Sequence, residues 1–358
     1  MSALLLFCAL QPSQAVSSLK INLFLFILIG PLMRGLGKLS MKINIFGHRG
    51  FGASDSAFHA ARDQSMNIQR IAENTLESHQ LALAQGAEGV EMDAIATADG
   101  YIVSTHADEV GQHVKVPYHV PQKYVGRMTF EELQHIPVGP IGTSRIPLLR
   151  DILRMMKSDF PDRIINIELK GKLDNLDDDS YTHPTLSEKI MQVIEECNFP
   201  LENVVFSSFA MSYLDELDEV CSNKKVQFKK GILFDLAPPT DHTDTSHKPI
   251  LLNRDDYYIP LSLSSLKKAH SRFSTMYSIH AEIRSLTPPI MSYLHTHNLV
   301  LHAWGLRELS PLDSSVEAQE FASAVRNVVA MAREVGMGEI NIITDHVLEM
   351  KEFVRTLN

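Results

Sequence analysis

The sequence has 358 residues, 44% hydrophobic and 21% charged, with a formal net charge of −10. That length and mix suit one large folded domain or two small ones, with a sizeable core. The acidic balance, without any block of lysines or arginines, argues against a nucleic-acid groove or an anionic membrane surface as the main target. An anionic substrate would need positive charge supplied locally, by a metal ion or a few placed side chains. Cys8, Cys197 and Cys221 are the three cysteines, and they imply neither a disulfide framework nor a thiolate zinc site.

Residues 1–40 differ from the rest. Their two apolar runs, ALLLFCAL at 3–10 and INLFLFILIGPLM at 21–33, fall short of a spanning helix, which needs ~20 residues. SQA follows the first run as a cleavage signal would, and Lys20, Arg34 and Lys38 flank the second. Three readings follow: a signal peptide, a short membrane anchor, or a segment upstream of a start at Met41. The first two imply export or membrane association through residues 1–40, the third a cytoplasmic protein. Folded-domain character begins at Lys42.

From Met41 to the end, short apolar runs alternate with helical patterns. Strands are expected at 43–48, 89–93, 163–169, 203–208, 229–234, 278–282, 299–304 and 340–344. Helices are expected at 74–85, 148–157, 185–196, 210–221, 287–297 and 316–335. This pattern predicts an α/β fold, a (β/α)8 TIM barrel over 41–358, rather than an open doubly wound sheet. GYIVSTH at 101–107 follows VEMDAIAT after only the turn ADG, so it must fold back antiparallel. Such a hairpin leaves the barrel mouth after Asp93 and returns His106 beside Glu91 and Asp93. It opens an insertion spanning 101–147 after the second strand. Residues 51–72 and 235–277 read as long loops at the same catalytic face.

Strand alternation places Glu91 and Asp93 on one face of the second strand, and Asn166, Glu168 and Lys170 on one face of the next barrel strand. A barrel strand packs its apolar face on helices, so these polar sets point inward. Three carboxylates at one mouth repel unless a cation sits among them, and all-oxygen ligation favours Mg2+ or Ca2+ over zinc. His48 and Arg49, in MKINIFGHRGFG at 41–52, end the first strand at that mouth. A divalent ion with Arg49 and Lys170 makes a phosphate clamp, and two histidines can serve as base and acid for displacement at phosphorus.

The ordered set HRG (48–50), ENT (73–75), EMD (91–93), His106 and ELK (168–170) resembles the glycerophosphodiester phosphodiesterase family of TIM barrels. VVFSSF at 204–209, VLHAWGL at 300–306 and IITD at 342–345 extend the resemblance to nearly all of 43–353. The resemblance implies metal ligands at Glu91, Asp93 and Glu168 and catalytic histidines at His48 and His106. It implies phosphate contacts from Arg49 and Lys170, with Glu73 holding the guanidinium and Trp304 walling the site. Asn74 with Glu77 reads as a helix N-terminal capping pair, and the glycines around His48 as room for the backbone to approach a phosphate.

Departures from the family pattern bear on substrate identity. His106 is followed by Ala107 rather than aspartate, Trp304 by Gly305, and the closing aspartate by His346 where proline is usual. The expected activity is metal-dependent hydrolysis of a glycerophosphodiester to sn-glycerol 3-phosphate and an alcohol. Cleavage of lysophospholipids on the same barrel is the first alternative, and a catalytically silent binding protein the second.

Overall fold

The computed structural model describes residues 41–52, 71–106, 125–139, 144–170, 186–235, 259–305 and 310–357, all within one compact unit, Met41–Asn358. The apolar runs of 1–40, most of the 51–72 loop, parts of the 101–147 insertion and residues 236–258 lie outside the described residues.

Eight parallel strands close into a barrel: β1 (Lys42–Gly47), β2 (Gly89–Ala96), β4 (Ile164–Leu169), β5 (Val204–Ser208), β6 (Lys229–Phe234), β7 (Ser278–Glu282), β8 (Val300–Trp304) and β9 (Glu339–Thr344). Each pairs with the next in that order; β9 pairs with β1, and the Phe46↔Gly89 register joins β1 to β2 and completes the ring. The expected hairpin is present as β3 (Ile102–Ser104), antiparallel to β2 in the register Ala94↔Ser104.

The expected helices are found as α1 (Leu76–Ala84), α3 (Leu149–Asp159), α4 (Leu186–Glu196), α5 (Met211–Lys224), α7 (Pro288–Thr296) and α8 (Val316–Val335). In α8 the buried positions Phe321, Val325, Val328, Val329 and Ala332 form one apolar stripe. Ser315 caps its start, and Gly336 at φ +82° ends it.

The structure adds α2 (Phe130–Gln134), α6 (Leu263–Arg272) and α9 (Val347–Arg355). The reading of 235–277 as a continuous loop is therefore corrected. In α6 Leu266 and Ala269 are buried at helical spacing, and reciprocal bonds between Ser262 and Ser265 start it. Short α2 belongs to the insertion. There Ile95, Val103, Val125, Leu133, Val138 and Ile146 form a second apolar cluster that packs the hairpin down.

Outward-facing Ile165, Ile167 and Leu169 of β4 lie in the main core between barrel and helices. The barrel interior is polar on one side. Asn44 Nδ2 donates to Asn341 Oδ1 at 2.8 Å, and Asn341 Nδ2 lies 2.9 Å from His302 Nε2. His302 stacks on His280 with ring centroids 4.3 Å apart. The His280 ring occupies the space a side chain on β6 would need, since a Cβ at Gly231 would lie 2.7 Å from it. Burial lowers His302 from 6.5 to about 3, and burial followed by its neighbour His302 takes His280 well below its ordinary value. No helix among the described residues is long and apolar enough to cross a membrane.

Candidate active site

The carboxyl ends of the barrel strands gather the expected site. β1 runs into the His48-Arg49-Gly50 turn, which the His48 N–H ties to Thr344 O of β9 at 2.9 Å. Asp345, just beyond β9, places Oδ1 2.7 Å from His48 Nδ1. Burial of the ring works against its charge, but the Asp345 carboxylate outweighs this and, with Glu91 helping and Arg49 opposing, His48 is raised from 6.5 to about 9.

Arg49 sits at φ +48°, a left-handed conformation that aims its backbone N–H inward to Glu91 Oε2 at 2.9 Å. Its guanidinium meets Glu73 Oε1 at 2.7 Å and Asp93 Oδ2 at 3.5 Å. Glu73 is thus the ion-pair partner of Arg49 in this turn. Gly50 has φ +83°, and a Cβ there would lie 2.6 Å from the His79 backbone nitrogen. Its missing side chain lets the turn lie on α1.

The capping pair of Asn74 with Glu77 is also corrected. Thr75 is the N-cap of α1 and accepts from the Ser78 N–H, while the Asn74 side chain turns to the site and donates to Asp93 Oδ2 at 2.8 Å. A capping residue sits in extended backbone, as Thr75 does at φ −95°; Asn74 has φ +56°.

Glu91, Asp93 and Glu168 are buried and offer carboxylate oxygens within 4.8 Å of one another. Burial first, then the Asp93 charge, raises Glu91 from 4.5 to about 8. Glu168 is also raised, chiefly by burial, against the pull of Lys170. Lys170 Nζ stands 3.0 Å from Glu168 Oε1 and 3.2 Å from Asp93 Oδ1. Crowded buried acids that resist ionisation, with two side-chain cations drawn onto them, suit a hard divalent cation with oxygen ligands.

The hairpin returns as expected. The Thr105 N–H donates to Asp93 O at 3.1 Å, which puts His106 one residue beyond, half-buried at the same rim. Trp304 ends β8, half-buried, its ring edge-on to Phe209 at 6.4 Å. Its indole Nε1 is buried and unpartnered among the described residues. Sequence reasoning missed Asp345 as a partner of His48. IITD was visible as a motif, yet nothing local says which of eight strand ends its aspartate will face.

Residues 48–349 match the Glycerophosphoryl diester phosphodiesterase family. The chain is 27% identical over 180 residues to the Glycerophosphodiester phosphodiesterase of Caldanaerobacter subterraneus subsp. tengcongensis, covering 49% of this chain and 65% of that protein. It is 30% identical over 173 residues to a Glycerophosphodiester phosphodiesterase of Bacillus altitudinis, covering 46% and 57%. The chain thus spans under two thirds of either relative. A phosphodiesterase of Oleispira antarctica, solved in complex with the product sn-glycerol-3-phosphate, shares the fold with a TM-score of 0.58 at 16% identity, over 87% of this chain and 96% of that one. With the closed barrel, the acidic mouth and a family match that begins at His48, the chain belongs to the glycerophosphoryl diester phosphodiesterase family.

Proposed function

We propose that the protein hydrolyses glycerophosphodiesters to sn-glycerol 3-phosphate and an alcohol. One divalent cation, Mg2+ or Ca2+, would be held by Glu91, Asp93 and Glu168, with His48 and His106 moving the protons. The observation that carries this reading is the meeting of three buried carboxylates with Arg49 and Lys170 at one barrel mouth, beside the His48–Asp345 pair. The names of the two relatives and the product bound by the Oleispira antarctica protein support the substrate class.

When bound, the cation supplies charge neutralisation at a phosphate oxygen and a site for a glycerol hydroxyl. Arg49 and Lys170 oppose the charge that builds on the phosphate oxygens, and Glu73 keeps the guanidinium aimed there. His106 accepts the proton of the attacking hydroxyl, either water, which gives sn-glycerol 3-phosphate directly, or the glycerol 2-hydroxyl, which gives a cyclic phosphate that water then opens. His48 donates its proton from Nε2 to the departing alkoxide as the P–O bond breaks. The Asp345 carboxylate at Nδ1 suits His48 to the acid role, because it stabilises the imidazolium and fixes the ring. Trp304 bounds the pocket on the β8 side.

His48→Ala and His106→Ala should each reduce choline release from glycerophosphocholine by at least ~100-fold, the usual scale of general acid–base catalysis, with unchanged melting curves. Full activity in either variant sinks the assignment. Lysophosphatidylcholine assayed in parallel, with each cation, tests the substrate class; preferential cleavage of the lysolipid replaces the glycerophosphodiester reading.

A further inference from the structure

Asn74 is only 2% exposed, and its polar groups reach three segments of the site. Its Nδ2 donates to Asp93 Oδ2 at 2.8 Å, and the Asp93 backbone N–H donates to its Oδ1 at 3.2 Å. Ser104 Oγ of the hairpin donates to the same Oδ1 at 3.0 Å, and the Asn74 backbone N–H donates to Arg49 O at 2.9 Å. One residue thus joins β2, the hairpin strand that leads to His106, and the turn that carries His48.

The network also sets which way the amide points. Two donors, the Asp93 N–H and the Ser104 hydroxyl, meet one end of the amide, so that end must be the oxygen. The NH2 group is then left facing Asp93 Oδ2. The two-point grip on one residue's backbone and carboxylate allows little rotation of the Asp93 side chain, and it leaves Oδ1 on the side where Lys170 Nζ approaches at 3.2 Å. An aspartate at 74 would set a carboxylate against a carboxylate. The left-handed backbone at φ +56°, which asparagine tolerates better than most residues, is what aims the side chain at β2.

We infer that Asn74 is a positioning residue, which presents the Asp93 carboxylate to the cation and keys the two histidine-bearing segments to that carboxylate. This rests on Asp93 being a cation ligand. Partners that orient metal ligands typically change affinity by about 10- to 100-fold when removed.

The test uses the full chain stripped with EDTA and titrated with Mg2+ and Ca2+ by calorimetry. Asn74→Gly keeps access to the left-handed backbone and removes the amide. It is expected to weaken the cation dissociation constant by about 10- to 100-fold while still melting cooperatively in EDTA. An unchanged dissociation constant overturns the inference, because a merely structural residue would lower the EDTA melting temperature and leave affinity alone. If Asn74→Gly fails to fold, wild-type protein labelled with 15N-asparagine gives the answer. The Asn74 side-chain amide resonance, assigned by its loss in Asn74→Asp, is expected to shift on addition of Mg2+, and a resonance unmoved at saturation overturns the inference. Wild type that binds neither cation removes the ligand reading itself and this inference with it, an outcome distinct from equal binding by wild type and variant.

Discussion

His48 keeps its proton because Asp345 stands 2.7 Å from Nδ1, although burial alone would strip it. Asp345→Asn keeps the shape and removes the charge. We expect kcat on glycerophosphocholine to fall by roughly 100-fold, the lower end for a displaced general acid, and the alkaline limb of the pH–rate profile to move to lower pH. The sign follows from the carboxylate: without it the imidazolium loses its proton earlier as pH rises. An alkaline limb that stays in place removes Asp345 from the mechanism. The sequence showed His48 through HRG, but its partner lies 297 positions away. Glu73 and Asn74 are neighbours in one tripeptide, yet only Glu73 was assigned to the site, through the family resemblance of ENT, since Arg49 lies 24 positions away. Asn74 needed the fold to show that the cap belongs to Thr75.

At the scale of elements, the start of α1 bears on the site from below. The HRG turn rests on it through Gly50, and the Ser78 Oγ donates to Arg49 O at 2.9 Å. Gly50→Ala introduces a Cβ 2.6 Å from helix backbone at φ +83°, and strain of this kind costs of order 1–3 kcal/mol. Thr75→Ala removes a cap and costs about 1 kcal/mol. Urea denaturation should therefore rank Gly50→Ala as the more destabilising, and the reverse order contradicts the packing described for the turn. Periodicity was enough for strands and for strongly amphipathic helices such as α8. It was not applied to α6, a ten-residue helix inside a span that reads as loop, although Leu263, Leu266 and Ala269 recur there at helical spacing. The hairpin was legible because a turn as short as ADG permits only one direction of return.

For the whole molecule, closure of the ring through Phe46↔Gly89 does two things. It removes sheet edges, and it buries a stacked pair of neutral histidines, His280 and His302, in the barrel interior. His302 is held at about 3 in the folded protein against 6.5 unfolded, so the unfolded chain binds the extra proton between those values. Stability that is present above pH 6.5 is therefore lost progressively as pH falls toward 3. Urea midpoints measured from pH 7 to pH 4 should decline, and His302→Gln should decline less steeply than wild type. Equal slopes would mean that the pair does not carry the acid sensitivity.

By itself the sequence determined the barrel's strand and helix count to within α2, α6 and α9, the inward direction of Glu91, Asp93, Glu168 and Lys170, and the hairpin that returns His106. Each of these rests on local periodicity, on turn length or on motifs within a few residues. Only the tertiary structure decided that Asp345 serves His48, that Asn74 grips Asp93 rather than capping a helix, and that Gly50 is needed for helix packing. The first joins strand ends 297 positions apart, the others join a turn, a helix start and a strand that local pattern does not bring together, and it is closure of the barrel that sets which side chains share its mouth.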